Sequence, residues 1–373
     1  MKRSFILFLS LILLLCGCRG AAVQETTAST APETTETTTP ATEPVMESET
    51  TEETTVETTE PPTEPQPESF LLTFVGDCTL GSAQAHFSYP VAFVQTVGDD
   101  YGYPFRNVIG YFENDDFTML NLENPLTEGG TKANKQHTFR GPVKYVNILT
   151  QNSVEAVTIA NNHTLDYGQE GYESTVSVLT EAGVPFVEQD STLIVTTESG
   201  LTIGMYAVTY AHLDKEEIVA AISELAANEE VDLVIFVPHW GTENSYRANS
   251  TQKELAHAAI DAGANIVYSS HAHVLQPIEE YGDGIIYYSL GNFSFGGNAY
   301  PKDYDTALLQ QEVIREPDGT IRLGKLTIIP CSVSSEPYRN NFQPTPYEEG
   351  SKEYNRVISK LDGTFTGADL GYD

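Results

Sequence analysis

The sequence predicts an α/β domain, and three observations carry the prediction. Between Phe70 and Tyr288, apolar runs of strand length alternate with segments of helical period. Many of those runs end abruptly in an acid, an amide or a histidine. From Asp305 to Ile329 the pattern turns to strands alone, broken at the turn tripeptide Pro317-Asp318-Gly319.

The elements follow in chain order. Met1 to Arg3 is cationic, Phe5 to Leu15 is apolar but too short to span a bilayer, and small and Cys residues follow, which is the pattern of a secretory signal over 1–18. Its end, Leu15-Cys16-Gly17-Cys18, resembles a bacterial lipobox, with Cys18 as the acylated residue because the small Gly17 precedes it. A plain secreted protein is the alternative; acylation would hold the chain on the extracellular face of the membrane. Residues 19–69 are largely Thr, Glu and Pro, as in TTASTAPETTETTTPATEP, with almost nothing to bury, so a disordered spacer is expected. The folded part is expected over 70–345, with 346–373 as a C-terminal tail. Strands are predicted at Phe70–Val75, Phe117–Leu122, Ala156–Ala160, Thr202–Tyr210, Asp232–Val237, Asn265–Tyr268 and Ile285–Tyr288. Helices are predicted at Tyr172–Ala182, Lys215–Ala227 and Gln252–Ala262, the last stopped by Gly263.

The formal net charge is -34, and twelve of the 53 acidic residues lie between Ala21 and Ser69, so the folded part is acidic as well. Such a field repels nucleic acid, and no nucleic-acid partner is expected. Past the signal only Cys78 and Cys331 remain, which is no disulfide framework; one bridge or two buried thiols are both compatible.

The chemistry sits at the strand ends. FLLTFVG leads to Asp77, FTMLNLE ends in Glu123, VEAVTIA leads to Asn161-Asn162-His163, VDLVIFVP to His239, NIVYSS to His271-Ala272-His273 and IIYYSLG to Asn292. In an open α/β sheet these ends line one crevice. Oxygen and imidazole donors in this number suit two divalent ions such as Mn, Fe or Zn rather than one tetrahedral zinc. Taken alone, Asp77 and Asn292 read more readily as turn residues, while Glu123 reads equally as a loop acid and His239 equally as a core histidine. His271 and His273, at i and i+2, would point to one side of an extended segment. Glu243 is placed to accept a hydrogen bond from a ligand histidine. His86, His137, His212 and His257 have no partner motif and are expected to be structural. Lys132, Lys135, His137 and Arg140 form a basic loop, expected to be solvated, with contact to an anionic substrate as the alternative.

GDCTLG, NLENPLT, ANNHTLDYG, PHWGTE, HAHVLQPIE and YYSLGNF, in this order, resemble the CapA family of poly-γ-glutamate capsule biosynthesis proteins, related to calcineurin-like metallophosphatases. The resemblance covers roughly Phe70 to Pro344. It implies a four-layered α/β/β/α sandwich of metallophosphatase type with two metals at strand ends. By position, Asn162 would ligate a metal and His163 would face the substrate as proton donor, oriented by Asp166. Asp77, Glu123, His239, His271 and His273 would complete the shell, with Glu123 bridging. Three positions depart from the superfamily pattern: Asp77-Cys78-Thr79 lacks the histidine of Asp-x-His, Glu123 replaces an Asp, and Ser270 replaces the Gly before the histidine pair. The implied activity is metal-dependent hydrolysis, of phosphoester or amide type, in the synthesis or processing of an anionic envelope polymer. The alternative is a non-enzymatic polymer-binding or export subunit of a capsule-synthesis complex.

Overall fold

A twelve-residue strand, β1 (Glu68–Thr79), opens the domain. The structure is a computed structural model that describes residues 66–371; the signal segment, Cys18 and the spacer through residue 65 lie outside the described residues. Along the chain follow α1 (Phe93–Val97), α2 (Ile109–Phe112), β2 (Phe117–Leu122), α3 (Val146–Thr150), β3 (Ala156–Thr158), α4 (Gly168–Ala182) and β4 (Phe186–Val187). Next come β5 (Ser191–Thr196), β6 (Thr202–Thr209), α5 (Lys215–Ala226), β7 (Leu233–His239), α6 (Ser250–Asp261), β8 (Ile266–Tyr268), β9 (Ile278–Tyr281) and β10 (Gly284–Tyr287). The chain then returns through β11 (Asn292–Phe295), β12 (Asp305–Arg315), β13 (Ile321–Ser332), β14 (Thr345–Pro346) and α7 (Lys352–Leu361).

Two sheets result. One has the order β14-β13-β12-β1-β2-β3-β4, with β11 also pairing β1; the other runs β5-β6-β7-β8-β10-β9. Residue alternation along these strands separates three apolar layers. Phe70, Leu72 and Phe74 of β1 meet Ile203 and Met205 of β6 and Ile235 of β7 between the sheets. Val75, Leu120 and Val157 face the other way, onto Ile148 and Leu179 of the helices covering the first sheet. Val208, Phe236 and Val267 pack on Ile218, Ile222 and Leu255 of α5 and α6. The architecture is therefore a four-layered α/β/β/α sandwich. Among the described residues no helix is long and apolar enough to cross a membrane.

Local signals explain the helix ends. Asp214 caps α5 by accepting from Glu217 N, and Asn249 and Gln252 form a capping box at the start of α6. Gly263, at φ +113°, ends α6 where expected. The residues set apart as a C-terminal tail fold as well. Val357 and Leu361 of α7 enter the inter-sheet core, and the buried Lys360 Nζ lies 2.6 Å from Asp303 Oδ2 and 2.7 Å from Asp305 Oδ2. Burying that ammonium is tolerable only because two carboxylates meet it.

Candidate metal centre

Asp77 enters the crevice because β1 shifts register against β2 between Phe74 and Asp77, and such a bulge re-aims the side chain. Gly76 is required just before it, since a Cβ there would lie 2.1 Å from Gly291 O. Asp77 stands in register with Asn121 of β2 and Asn292 of β11. Asn121 Nδ2 donates to Asp77 Oδ1 at 2.8 Å, and Asn292 Oδ1 lies 2.9 Å from His273 Nδ1. Beneath this level Tyr268 Oη donates to Val75 O at 2.6 Å and ties the two sheets together.

Glu123, just past β2, is fully buried, and neither of its carboxylate oxygens has a hydrogen-bond partner. Its Oε1 lies 3.5 Å from His239 Nε2 and 3.9 Å from His273 Nε2. A buried carboxylate in this state is costly unless a cation meets it. His239, the last residue of β7, is fixed by Ser270, whose Oγ lies 2.9 Å from Nδ1, while Nε2 lies 2.8 Å from Asn162 Oδ1. Ser270 thus orients a ligand candidate.

His271 and His273 do not form the extended pair that their spacing suggests. They adopt φ +96° and +57°, and these left-handed conformations bring both rings to one centre, with centroids 6.1 Å apart. Non-glycine residues hold such backbone only where the surroundings over-determine it, often at functional sites. His271 N donates to Asp77 Oδ2 at 3.3 Å, and its buried Nδ1 has no hydrogen-bond partner. Two groups of donor atoms emerge: Asp77, Glu123 and His239, all buried, and Glu243, His271 and His273, the atoms of each group lying within 4.8 Å of one another. The unpartnered oxygens of Glu123 and the unpartnered Nδ1 of His271 make these residues fit a divalent cation.

The electrostatics agree with that fit. Burial alone would raise the Asp77 carboxyl, yet the hydrogen bond and charge of His273 hold it well below the usual range. Burial works against a charged His273, but Glu123 and Asp77 outweigh it and push this imidazole up to about 10. Burial and the neighbouring His239 and His273 lower His271 to about 2. A cation held by His273 would compete with that proton.

At the rim, His163 Nδ1 lies 2.7 Å from Asp166 Oδ2, which also accepts from Phe139 N at 2.6 Å. Lys135 Nζ lies 2.5 Å from Asp166 Oδ1 and donates to Asn162 O at 2.7 Å. The basic loop expected to be solvated is therefore clasped to the site through Lys135 and Phe139, whose ring lies 4.7 Å from that of His163. Lys132 and His137 remain exposed, while Arg140 lies over the rings of Phe87 and Tyr167. His257 pairs with Glu279 and His212 with Asp190, away from the cluster.

Four contributors escaped the sequence reading. Asn121, a strand-interior amide, holds Asp77; Ser270 holds His239; Lys135 holds Asp166. Asn161 donates from Nδ2 to Asn121 Oδ1 and Leu122 O, each at 2.9 Å, and its Oδ1 accepts from His163 N. Asparagine at a strand end is the one signal that could have marked it. Cys78 offers no substitute for the absent first-motif histidine: it is a free thiol in the outer core with Cys331, and burial pushes both thiols up.

The profile of the family described as bacterial capsule synthesis protein PGA_cap matches residues 71–297. The PGA biosynthesis protein CapA of Bacillus subtilis (strain 168) is 28% identical over 315 residues, covering 78% of this chain and 77% of that protein. A probable polyglutamine synthesis accessory protein of Mycobacterium tuberculosis (strain ATCC 25618 / H37Rv) is 27% identical over 227 residues, 52% of this chain and 60% of that protein. Among solved structures, the NAD nucleotidase of Haemophilus influenzae is 11% identical, with 80% of this chain and 63% of that chain covered and a TM-score of 0.40. A likeness that loose carries no argument, and the fold rests on the strand order itself.

Proposed function

The chain belongs to the PGA_cap family of bacterial capsule synthesis proteins, and from that premise we propose that it is a metal-dependent hydrolase. Its substrate would be an ester or amide of an anionic, poly-γ-glutamate-like envelope polymer during synthesis or processing. The observation that carries this reading is the buried Glu123 carboxylate, unpartnered and facing His239 and His273. Asp77, Glu123, Asn162, His239, His271 and His273 would hold two divalent ions, which when bound supply Lewis-acid polarisation and acidify water. The chain's own groups then account for proton movement and substrate position. Asp166 takes the Nδ1 side of His163, leaving Nε2 as the nitrogen that donates to a leaving group. Asn292 steadies His273 through its Nδ1. Lys135 and Arg140 place positive charge beside an otherwise acidic surface, where an anionic polymer needs it. Cys18 would carry the lipid that keeps the domain on the outer face of the membrane, with the Thr/Glu/Pro segment as its tether.

Replacing His163 with Ala should reduce turnover of a cleavable polyglutamate or phosphoester substrate by about 10²–10⁴ while metal content stays unchanged. Unchanged turnover would refute the assignment. A second reading, a polymer-handling accessory subunit without turnover, is favoured by the word accessory in the name of the mycobacterial relative. Polymer binding that survives chelation, with no product formed, would select it.

A further inference from the structure

We propose that Glu243 is a direct metal ligand, which with His271 and His273 makes good the donor missing from the first motif; this rests on the metal-dependent reading above. Thr79 occupies the position of the absent histidine, but its Oγ1 donates to Glu123 O at 3.3 Å. Cys78 is turned into the outer core. The compensating donor comes from the opposite wall. After β7 the chain stays paired to the histidine loop, with Trp240 N donating to Ser270 O at 3.1 Å and Asn244 N to Ala272 O at 2.8 Å. Between these two anchors the backbone turns through Gly241 at φ +108° and Asn244 at φ +63°. A side chain at Gly241 would also press on Gln252, whose nearest atom lies 2.9 Å from a Cβ built there.

This turn carries the Glu243 carboxylate to His271 and His273, with donor atoms of all three within 4.8 Å of one another. Glu243 is half-buried and its carboxylate makes no hydrogen bond among the described residues, while Nδ1 of His271 is buried and unpartnered. A carboxylate without a hydrogen bond, clustered with an imidazole whose Nδ1 also bonds nothing, is the arrangement of a site that closes on a cation rather than on itself. A carboxylate in place of an imidazole makes this cluster harder and more anionic, which favours Mn or Fe over Zn. Three carboxylates, Asp77, Glu123 and Glu243, would still leave a centre holding two divalent ions net positive toward an anionic substrate group.

The test is a titration of the chelator-stripped protein with Mn²⁺, by calorimetry and elemental analysis, for wild type, E243Q and E243H. Glutamine keeps a hydrogen-bond acceptor but is a poor ligand, so a carboxylate that merely orients a histidine would tolerate it. The expected result is two ions per wild-type chain and, in E243Q, loss of one ion or its weakening by more than roughly a hundredfold, beyond what an orienting contact contributes, with the other unchanged. E243H should recover the second ion with its preference shifted toward Zn²⁺, which also shows that the variant folds. Two ions bound to E243Q with wild-type affinity would overturn the proposal. A wild-type chain that binds no ion overturns the metal-dependent reading itself, a result distinct from loss of one ion in the variant.

Discussion

Replacing Asp166 with Asn should loosen the rim of the site and lower the stability of the whole domain. The fully buried carboxylate meets three groups at once: His163 Nδ1 at 2.7 Å, Phe139 N at 2.6 Å and Lys135 Nζ at 2.5 Å. An amide oxygen in the place of Oδ2 can keep both of the first two, but only as neutral bonds, and the amide NH₂ then faces the lysine ammonium. Charge-assisted hydrogen bonds of this kind contribute about 1.5–3 kcal/mol each when buried. Lys135 is a third exposed, so its share must be discounted for solvent screening. The sum is a loss of about 2–4 kcal/mol, which for a domain of this size lowers Tm by roughly 3–6 °C. Because residues 133–139 are pinned to the site through Asp166, they should also become the first point of proteolysis. Calorimetry with limited proteolysis reads both effects. A shift in Tm of under about 2 °C with unchanged cleavage would refute the view that Asp166 holds the rim.

Three further outcomes follow from named contacts. Lys360→Met leaves Asp303 and Asp305 facing each other without their shared ammonium, so urea denaturation should show a loss of about 3–5 kcal/mol, whereas a neutral effect would mean that Arg356, which donates twice to Asp305, suffices. Burial, with the charges of Glu155 and Asp116, pushes Asp115 up to about 7. Its folded pKa then exceeds the unfolded value, the folded state holds the proton more tightly, and stability falls as pH rises from about 4 to about 7. Asp115→Asn should remove that slope in Tm and raise Tm at pH 8; an unaltered slope would place the titration elsewhere. Ser270→Ala removes the partner of His239 Nδ1 and should weaken metal binding by roughly 10–100-fold with little change in the metal-free Tm, while full affinity would leave His239 oriented by other contacts.

Much of the fold is legible in the sequence wherever an apolar run is long and unbroken. β2 occupies Phe117–Leu122 as the pattern predicts, and β12 and β13 flank the expected Pro-Asp-Gly turn. Short pairings are not legible: β4 and β14 have two residues each, too few for any period, and exist because a neighbouring strand offers its edge. α7 hides because its buried face includes Lys360, a residue that looks solvent-facing until Asp303 and Asp305 are known to be adjacent. The strand-end residues could be picked out because chemistry at a carboxyl edge has one meaning in an α/β sheet. Their supports could not: Asn121 matters only because β1 and β2 are neighbours in register, and Lys135 only because its loop folds back over Asp166. The conformation of His271 and His273 was likewise invisible, since their left-handed backbone is imposed by contacts such as His271 N to Asp77.

The most direct test of the metal centre is elemental analysis of protein purified without chelator, wild type beside Glu123→Gln. Glu123 belongs to one donor group, lies 3.9 Å from His273 of the other and leaves both oxygens unpartnered, so the wild type should carry two divalent ions per chain and the variant should lose them. Less than one transition-metal ion per wild-type chain, or equal metal in the variant, would contradict the account.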